Sequence, residues 1–249
     1  MCLVALAFKL SEQYPVVLAA NRDEFYRRPA RAMHWWQEGF LAGRDLAKGG
    51  TWLGFHPQGR WGLVLNFRER PAVKKELSRG EILRLFLGGQ LDLSDCERLL
   101  QKTGGAHLLL STDMRLFYIS NRDSSRELAG GLYVLSNGKF GEPWFKVRLI
   151  QDKANKLLAA RDFSQESWMS MLLDKSRAPL GEELPKTGYP PLIEHFLSSP
   201  FIAGALYGTR STAFARRSAQ GYWTVAEWVH VPPTGLSFFE FQESPSFPK

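Results

Sequence analysis

The chain opens with an apolar run, CLVALAF at residues 2–8, in which both alternating sets of side chains are apolar. One face of an extended strand would carry Cys2, Val4, Leu6 and Phe8, and the other Leu3, Ala5 and Ala7. Because a strand that is apolar on both faces is covered on both sides, this pattern predicts a central strand in a layered architecture. A second apolar run, PVVLAAN at residues 15–21, follows the polar SEQY, so the two runs predict a β-hairpin.

The rest of the chain alternates between strand and helix patterns. Capping-box sequences at Ser78 and Ser94 predict two short helices, over residues 79–88 and after residue 94. Apolar residues at helical spacing predict a longer helix over 143–160, and a proline-rich stretch at 176–191 predicts a loop. Further strands are predicted at residues 51–56, 61–67, 106–112, 115–120, 131–137, 202–215, 222–230 and 236–241. This order predicts an α+β fold with two sheets face to face and helices outside, an ordinary two-layer α+β fold being the alternative.

Composition narrows the class of protein. At 249 residues and 44% hydrophobic, the chain predicts a single domain over residues 1–249. Lysine and arginine exceed aspartate and glutamate by 32 − 25 = 7, but the basic pairs are scattered without a nucleic-acid motif, so no nucleic-acid partner is expected.

Neither a signal peptide nor an apolar run of about 20 residues is present, which predicts a cytoplasmic protein with no membrane span. Cys2 and Cys96 are far apart and the histidines lack ligand spacing, so no metal site is expected.

Cys2 is the first candidate for chemistry. Once the initiator methionine is removed, residue 2 carries a thiol and a free α-amino group. A thiol titrates at about 8.5 and an α-amine at about 7.7 to 8.0, so the two can exchange a proton near neutral pH. The residue would then be a nucleophile with its own base. The alternative is a small apolar residue that packs in a buried strand.

Four polar residues, Asn21, Arg22, Asp23 and Glu24, follow the second apolar run. In the predicted hairpin they pass beside the start of the first strand, within reach of Cys2, and Asn21 and Glu24 are candidate ligand-binding residues there. An arginine there would favour the thiolate, and a carboxylate would hold the protonated amine. The alternative is a charged turn with surface ion pairs.

Asn66 and Asn137 both end apolar strands, and hydrolysis of an acyl bond requires donors for an oxyanion. Both fit that need, although asparagine at a strand end also caps turns. Arg210, in YGTRST, is a candidate to position an anionic substrate group or the nucleophile, or else a structural arginine.

His34, Trp35 and Trp36 form a bulky cluster in the predicted loop after the first hairpin. Such a cluster lines a pocket for a flat or hydrophobic ligand, or covers the core as a lid. The glycine-rich GGTWLG at 49–54 lacks the lysine of a phosphate loop and predicts a tight turn that enters a strand.

Taken in order, seven segments resemble the NRDE family, also called the transport and Golgi organisation 2 family. They are Met1-Cys2, NRDE at 21–24, GGTWLG at 49–54, NFRE at 66–69, SRG at 78–80, LSN at 135–137 followed by Pro143-Trp144, and YGTRST at 207–212. That family resembles the N-terminal-nucleophile (Ntn) hydrolases, so the resemblance implies a four-layer αββα sandwich with the catalytic residue starting the first strand. In cysteine members such as bile salt hydrolases and penicillin V acylases, an arginine ends the second strand and an aspartate follows three residues on. Here Arg22 and Asp23 are adjacent, and Asn21 and Glu24 occupy the three-residue interval.

The resemblance implies two functions. The first is hydrolysis of a small C–N amide by Cys2 with no cofactor, in which Asn66 and Asn137 stabilise the oxyanion. Arg22 and Asp23 or Glu24 would set the state of the thiol, and Arg210 would orient it. The second is a carrier for haem or for a lipid or acyl-type ligand, because the family has been connected with haem trafficking and lipid homeostasis. A haem carrier would use the Trp35-Trp36 cluster, several arginines and an axial ligand from His34, His56 or Cys2.

Overall fold

A computed structural model describes residues 2–70, 77–179, 182 and 184–244 of the chain. In chain order, its strands are β1 (Cys2–Phe8), β2 (Val16–Phe25), β3 (Ala30–Trp35), β4 (Leu41–Asp45), β5 (Leu53–Phe55), β6 (Trp61–Asn66), β7 (Ala106–Thr112), β8 (Arg115–Ser120), β9 (Arg126–Leu128), β10 (Gly131–Leu135), β11 (Tyr207–Arg217), β12 (Tyr222–Val229) and β13 (Gly235–Gln242). The helices are α1 (Arg79–Leu87), α2 (Leu93–Leu100), α3 (Phe145–Ala159), α4 (Gln165–Met171) and α5 (Pro191–Phe196).

The chain divides into two compact units. The first unit comprises residues 1–27, 68–71 and 130–239, and the second comprises residues 28–67, 72–129 and 240–249. Neither unit is one continuous stretch of sequence. The single domain expected over residues 1–249 stays a prediction.

The first unit is built on a six-stranded sheet of order β10-β1-β2-β11-β12-β13. One face of β1 packs against α3 and α4 in a core that contains Leu3, Ala5 and Ala7 from the strand. Ile150 and Ala154 of α3 and Trp168 of α4 belong to the same core. The other face of β1 is buried as well, at Val4, Leu6 and Phe8. The central, doubly covered strand predicted from the opening sequence is therefore confirmed.

The second unit is built on a seven-stranded sheet of order β3-β4-β5-β6-β7-β8-β9. Helices α1 and α2 cover one face, where Ile82, Leu83 and Phe86 meet Leu108 and Leu110 of β7. Cys96 lies in the first turn of α2 and is fully buried in this core.

The GGT segment at 49–51 and the SRG segment at 78–80 contact each other in the second unit, and each contains a glycine at the point of contact. The backbone N–H of Thr51 donates to the carbonyl of Gly80 over 3.0 Å. A Cβ atom on Gly50 would lie 2.3 Å from the carbonyl carbon of Gly80, and one on Gly80 would lie 2.6 Å from the carbonyl oxygen of Thr51. Only residues without a side chain permit this close approach of two backbones.

Several local predictions were wrong. His34 and Trp35 lie on β3, and Trp36 directly follows it, where a loop was predicted. The cap of α2 is Asp92, whose carboxylate accepts from the N–H of Asp95 over 2.8 Å, and not Ser94. Helices α4 and α5 and strands β4 and β9 were not predicted. Residues 180, 181 and 183 of the predicted loop at 176–191 lie outside the described residues.

The fold class is α+β, as predicted, with two antiparallel sheets that each carry helices. None of the described helices is long and apolar enough to cross a membrane.

Candidate active site

The hairpin of β1 and β2 brings Cys2 to the NRDE segment. In this antiparallel pair Cys2 lies directly opposite Arg22. The backbone N–H of Asp23 donates to the sulfur of Cys2. Cys2 itself is only partly buried, although the rest of β1 is fully buried. The thiol therefore lies at the end of the strand that emerges from the core.

Asp23 is the carboxylate beside Cys2. Its side chain is buried, and one carboxylate oxygen accepts the hydroxyl of Thr209 on β11 over 2.7 Å. Thr209 is held in turn by the N–H of Ile202, which donates to its hydroxyl oxygen over 2.9 Å. Glu24 is half-buried and accepts from the N–H of Phe25. Of the two carboxylates left open by the sequence, Asp23 is the buried one and the one whose charge acts on the thiol.

Burial raises the pKa of the Cys2 thiol, and the Asp23 carboxylate raises it further, whereas Arg22 lowers it. Burial also raises the pKa of Asp23, and this effect is opposed mainly by the ammonium of Lys146. A thiol in this environment is protonated at neutral pH, so nucleophilic attack requires a base that takes its proton.

Lys146 is the charged residue of this site that the sequence analysis missed. It lies in the first turn of α3 and is only 1% exposed. Its Nζ has no hydrogen-bond partner among the described residues. Burial lowers its pKa to about 8, the nearby Arg68 lowers it too, and Asp23, Cys2 and Glu194 raise it.

Arg68 and Glu194 form a second buried pair in the same unit. Their side chains are 1% and 2% exposed and meet at 2.7 Å. Glu194 also accepts the hydroxyl of Thr187, and the Arg68 guanidinium lies 4.8 Å from the centre of the Trp144 ring. Arg68 and Lys146 line one small cavity with Trp144 and Ser198. The first unit thus carries a cluster of buried charges around Cys2 and Asp23.

Asn137 lies next to the start of β1. Strand β10 pairs with β1 so that Leu135 faces Val4, and the chain then continues past Cys2. The hydroxyl of Ser136 donates to the carbonyl of Cys2 over 3.1 Å and is 3.3 Å from the side-chain oxygen of Asn137. Asn137 is fully buried. The structure therefore brings together Cys2, Arg22, Asp23 and Asn137.

The side chains of Asn21 and Arg210 donate hydrogen bonds to backbone carbonyls of the first unit. The Asn21 side-chain amide donates to the carbonyls of Leu172 and Pro200, both over 2.9 Å, and its oxygen accepts from Thr212. Arg210 sits in a β-bulge of β11 and donates to the carbonyls of Phe25 and Tyr26. Both residues therefore hold neighbouring backbone in place, and the ligand contact predicted for Asn21 and the positioning role predicted for Arg210 stay predictions.

The other predicted site residues belong to the second unit. Asn66 ends β6, opposite Ala106 of β7. His34, Trp35 and Trp36 line a cavity of about 490 Å³ together with Arg31, Gln37, Glu38, Arg44, Gly49, Glu81 and Arg84. Trp35 is 44% exposed, whereas Trp36 is buried, with its ring stacked on Phe40. No group of metal-ligating side chains occurs among the described residues of either unit.

A sequence signal for Lys146 exists. A lysine in the first turn of a helix opposes the helix dipole, and this first turn contains no acidic residue. The helical pattern over 143–160 predicts the helix, and the positive charge in its first turn marks Lys146 as unusual. Glu194 gives no such signal, because α5 follows a stretch rich in proline and glycine.

The fold and the site define an α+β protein whose first strand begins with a cysteine inside a cluster of charged side chains. Residues 1–230 match the family described as Transport and Golgi organisation 2, and the chain belongs to that family. The resemblance inferred from the motifs is confirmed.

Two homologues of this family match the chain over different lengths. The chain is 32% identical over 169 residues to the Transport and Golgi organization protein 2 homolog of Bos taurus. This alignment covers 59% of the chain and 60% of the bovine protein. It is 26% identical to the Mus musculus homolog, over 91% of this chain and 92% of that protein. The chain thus spans less than two thirds of the bovine protein in its alignment.

Two solved structures are similar at low identity. One is the Caenorhabditis elegans ortholog of N-acylethanolamine-hydrolyzing acid amidase, with 12% identity, a TM-score of 0.48, and 82% of this chain and 100% of that chain covered. The other is a mutant of the conjugated bile acid hydrolase from Clostridium perfringens, with 11% identity, a TM-score of 0.42, and 100% and 99% covered.

Proposed function

We propose that the protein hydrolyses a small C–N amide with Cys2 as the nucleophile, after removal of Met1. The observation that carries this proposal is the position of the thiol. It lies at the emerging end of a buried strand, opposite Arg22, with the Asp23 amide donating to its sulfur and the buried Asp23 carboxylate beside it.

The reaction follows from these groups. The α-amine of Cys2 takes the thiol proton, and the sulfur attacks the amide carbonyl. The C–N bond breaks as the α-ammonium returns the proton to the leaving amine, which leaves a thioester on Cys2. A water molecule then attacks the thioester with the α-amine again as base, and the acid is released. Asn137 is the candidate oxyanion donor in the first unit.

The raised thiol pKa supports the need for a free α-amine. Because burial and Asp23 favour the protonated thiol, Cys2 is a poor nucleophile unless a base is attached close by. Removal of the methionine supplies that base on the same residue. Asp23 is then placed to accept from the α-ammonium during turnover.

The test is acetylation by p-nitrophenyl acetate, followed by peptide mass spectrometry of the full-length protein. The expected result is acetyl-Cys2 in processed chains, and none in C2A. A variant with a lysine inserted between Met1 and Cys2, which keeps the methionine, should acetylate far more slowly. Equal acetylation with and without the free α-amine would contradict the mechanism.

Cys96 provides the matched control. It is the other cysteine of the chain, it is fully buried, and burial raises its pKa to about 12. C96S should acetylate at the native rate. Label found on Cys96 rather than Cys2 would reject the assignment of the nucleophile.

A second candidate function is the carriage of haem or an acyl-type ligand, and one observation in the second unit favours it. The cavity there has an exposed indole, Trp35, and two arginines, Arg31 and Arg44, that form no ion pair among the described residues. His34 Nδ1 lies 2.9 Å from the carbonyl of Ala32, so Nδ1–H donates there and Nε2 keeps its lone pair. Haem would use Nε2 as axial ligand and the arginines for its propionates, and would give the site a Soret band.

The carrier hypothesis is tested by titration with haemin. The expected result is a saturable Soret shift at one haemin per chain, weakened in H34A and in R31M/R44M. H195A is the control, because His195 belongs to the first unit. A response that does not saturate, or that is equal in H34A and H195A, would reject haem carriage in this cavity.

A further inference from the structure

Lys146 is placed where general rules of protein structure disfavour a lysine. Its side chain is 1% exposed, and burial of an ammonium is costly unless the charge is paired and hydrogen-bonded. It also lies at the positive end of a 15-residue helix. Positions that break such rules without local compensation are those at which function is expected.

The neighbouring cation shows what a structural solution looks like in the same unit. Arg68 is equally buried, but it donates to Glu194 over 2.7 Å and to the carbonyl of Leu197. Lys146 Nζ makes no hydrogen bond among the described residues. Glu194 is already engaged by Arg68 and Thr187, which leaves Asp23 as the carboxylate that Lys146 neutralises.

We propose that Lys146 is a positioning residue of the Cys2 site: its ammonium keeps the buried Asp23 carboxylate ionised, so that Asp23 can hold the α-ammonium of Cys2 in the required place. This inference rests on the proposed hydrolase function. Lys146 acts through Asp23 and does not itself touch the substrate.

The electrostatics of the cluster support this role. The opposite charge of Lys146 is the largest influence that lowers the pKa of Asp23, against the increase caused by burial. The described charged and titratable groups of the cluster that contains Asp23 and Lys146 are Cys2 on β1, Arg22 and Glu24 on β2, Arg68 after β6, Glu194 on α5 and Tyr207 on β11. A protonated Asp23 would lose its attraction for the α-ammonium, and the amine would no longer be held beside the thiol.

The test compares K146M, which removes the charge in an unbranched side chain of similar length, with K146R, which keeps the charge. The rate of Cys2 acetylation by p-nitrophenyl acetate is measured against pH in the full-length C96S background. In K146M the acidic midpoint should move upward by about one pH unit or more, since loss of a nearby opposite charge raises a carboxyl pKa by about that amount. In K146R the midpoint should stay near the native value.

A direct measurement separates this inference from the hydrolase proposal. The carboxyl ¹³C resonance of Asp23, assigned with D23N, should titrate at higher pH in K146M than in native protein. An unchanged Asp23 titration in K146M, or an equal shift in K146R and K146M, overturns the role of Lys146. Native protein that never acetylates Cys2 overturns the hydrolase proposal, and the Asp23 titration then decides the Lys146–Asp23 coupling alone.

Discussion

The guanidinium of Arg68 meets the carboxylate of Glu194 at 2.7 Å with both side chains almost fully buried. Removal of one partner from a buried ion pair leaves a charge that neither water nor protein neutralises. We therefore expect R68M or E194Q alone to lower the free energy of unfolding by about 3 to 5 kcal/mol. For the double variant R68M/E194Q, the loss in free energy of unfolding should be much smaller than the sum of the losses in the two single variants. Urea unfolding at neutral pH measures all three.

The exposed pair Arg98 and Asp95 on α2 is the control for this prediction. It has a similar distance of 2.6 Å, but the side chains are 62% and 35% exposed. Solvent-exposed pairs contribute little, so R98M should unfold at nearly the same urea concentration as native protein. Equal losses in R98M and R68M would contradict the burial argument.

Lys146 should make stability depend on pH in a defined window. Its pKa is lowered from 10.5 to about 8, so between these values the unfolded chain binds a proton that the folded chain has released. Stability then rises with pH across this window, by up to about 3 kcal/mol for a single group. The rise should be absent in K146M. Chemical denaturation of both proteins between pH 7 and pH 10.5 measures the difference, and parallel curves would contradict the lowered pKa.

The buried charges of Asp23 and Lys146 together should lower the free energy of unfolding relative to neutral side chains at the same positions. Replacement of a buried pair of charges by neutral side chains is often stabilising, by about 1 to 4 kcal/mol. We expect D23N/K146M to be at least as stable as the native protein at pH 7 while its Cys2 acetylation is strongly reduced. Thermal unfolding and the acetylation assay together measure this. A double variant that is both unstable and unreactive would instead indicate a structural role for the pair.

Asn21 should be a stability residue. Its side chain bonds Leu172, Pro200 and Thr212 inside the first unit. In N21A these buried partners lose their hydrogen bonds, and each unsatisfied group costs about 1 to 3 kcal/mol. A large loss in urea unfolding is therefore expected. N21A with native stability would favour the ligand contact predicted from the sequence.

Gly50 and Gly49 should respond differently to the same substitution. A Cβ at Gly50 would collide with the Gly80 backbone, whereas nothing lies within 4 Å of one at Gly49, whose φ is +76°. We expect G49A to lower the free energy of unfolding only by the backbone strain, which is about 1 to 2 kcal/mol. We expect G50A to lower the free energy of unfolding by clearly more than G49A, because the backbones at residues 50 and 80 must move apart. Melting temperatures of the two variants provide the comparison.

The elements that the sequence predicted well are those whose pattern is local. The hairpin of β1 and β2, strands β6 to β8 and helix α3 each bury a regular apolar face, so periodicity alone located them. Strand β3 was missed because its sequence ARAMHW alternates poorly and only one of its residues, Met33, is buried. Helix α5 was missed because it has only six residues and follows proline-rich sequence.

The site was predictable only in part for a similar reason. Cys2, Arg22 and Asp23 share one hairpin, so their proximity followed from antiparallel pairing. Lys146, Arg68 and Glu194 come from distant segments, and no local pattern states which carboxylate a buried cation will meet. Whether the predicted residues act in catalysis or ligand binding stays a prediction.

The strand order β10-β1-β2-β11 has a consequence for synthesis on the ribosome. The first hairpin is made early, but its neighbours in the sheet begin only at Gly131 and Tyr207. An unpaired nascent hairpin waits for most of the chain to be translated, which slows folding and exposes strand edges to aggregation. Lys146 on α3 is also made late, so removal of Met1, which the proposed mechanism requires, would precede the arrival of this side chain beside Cys2.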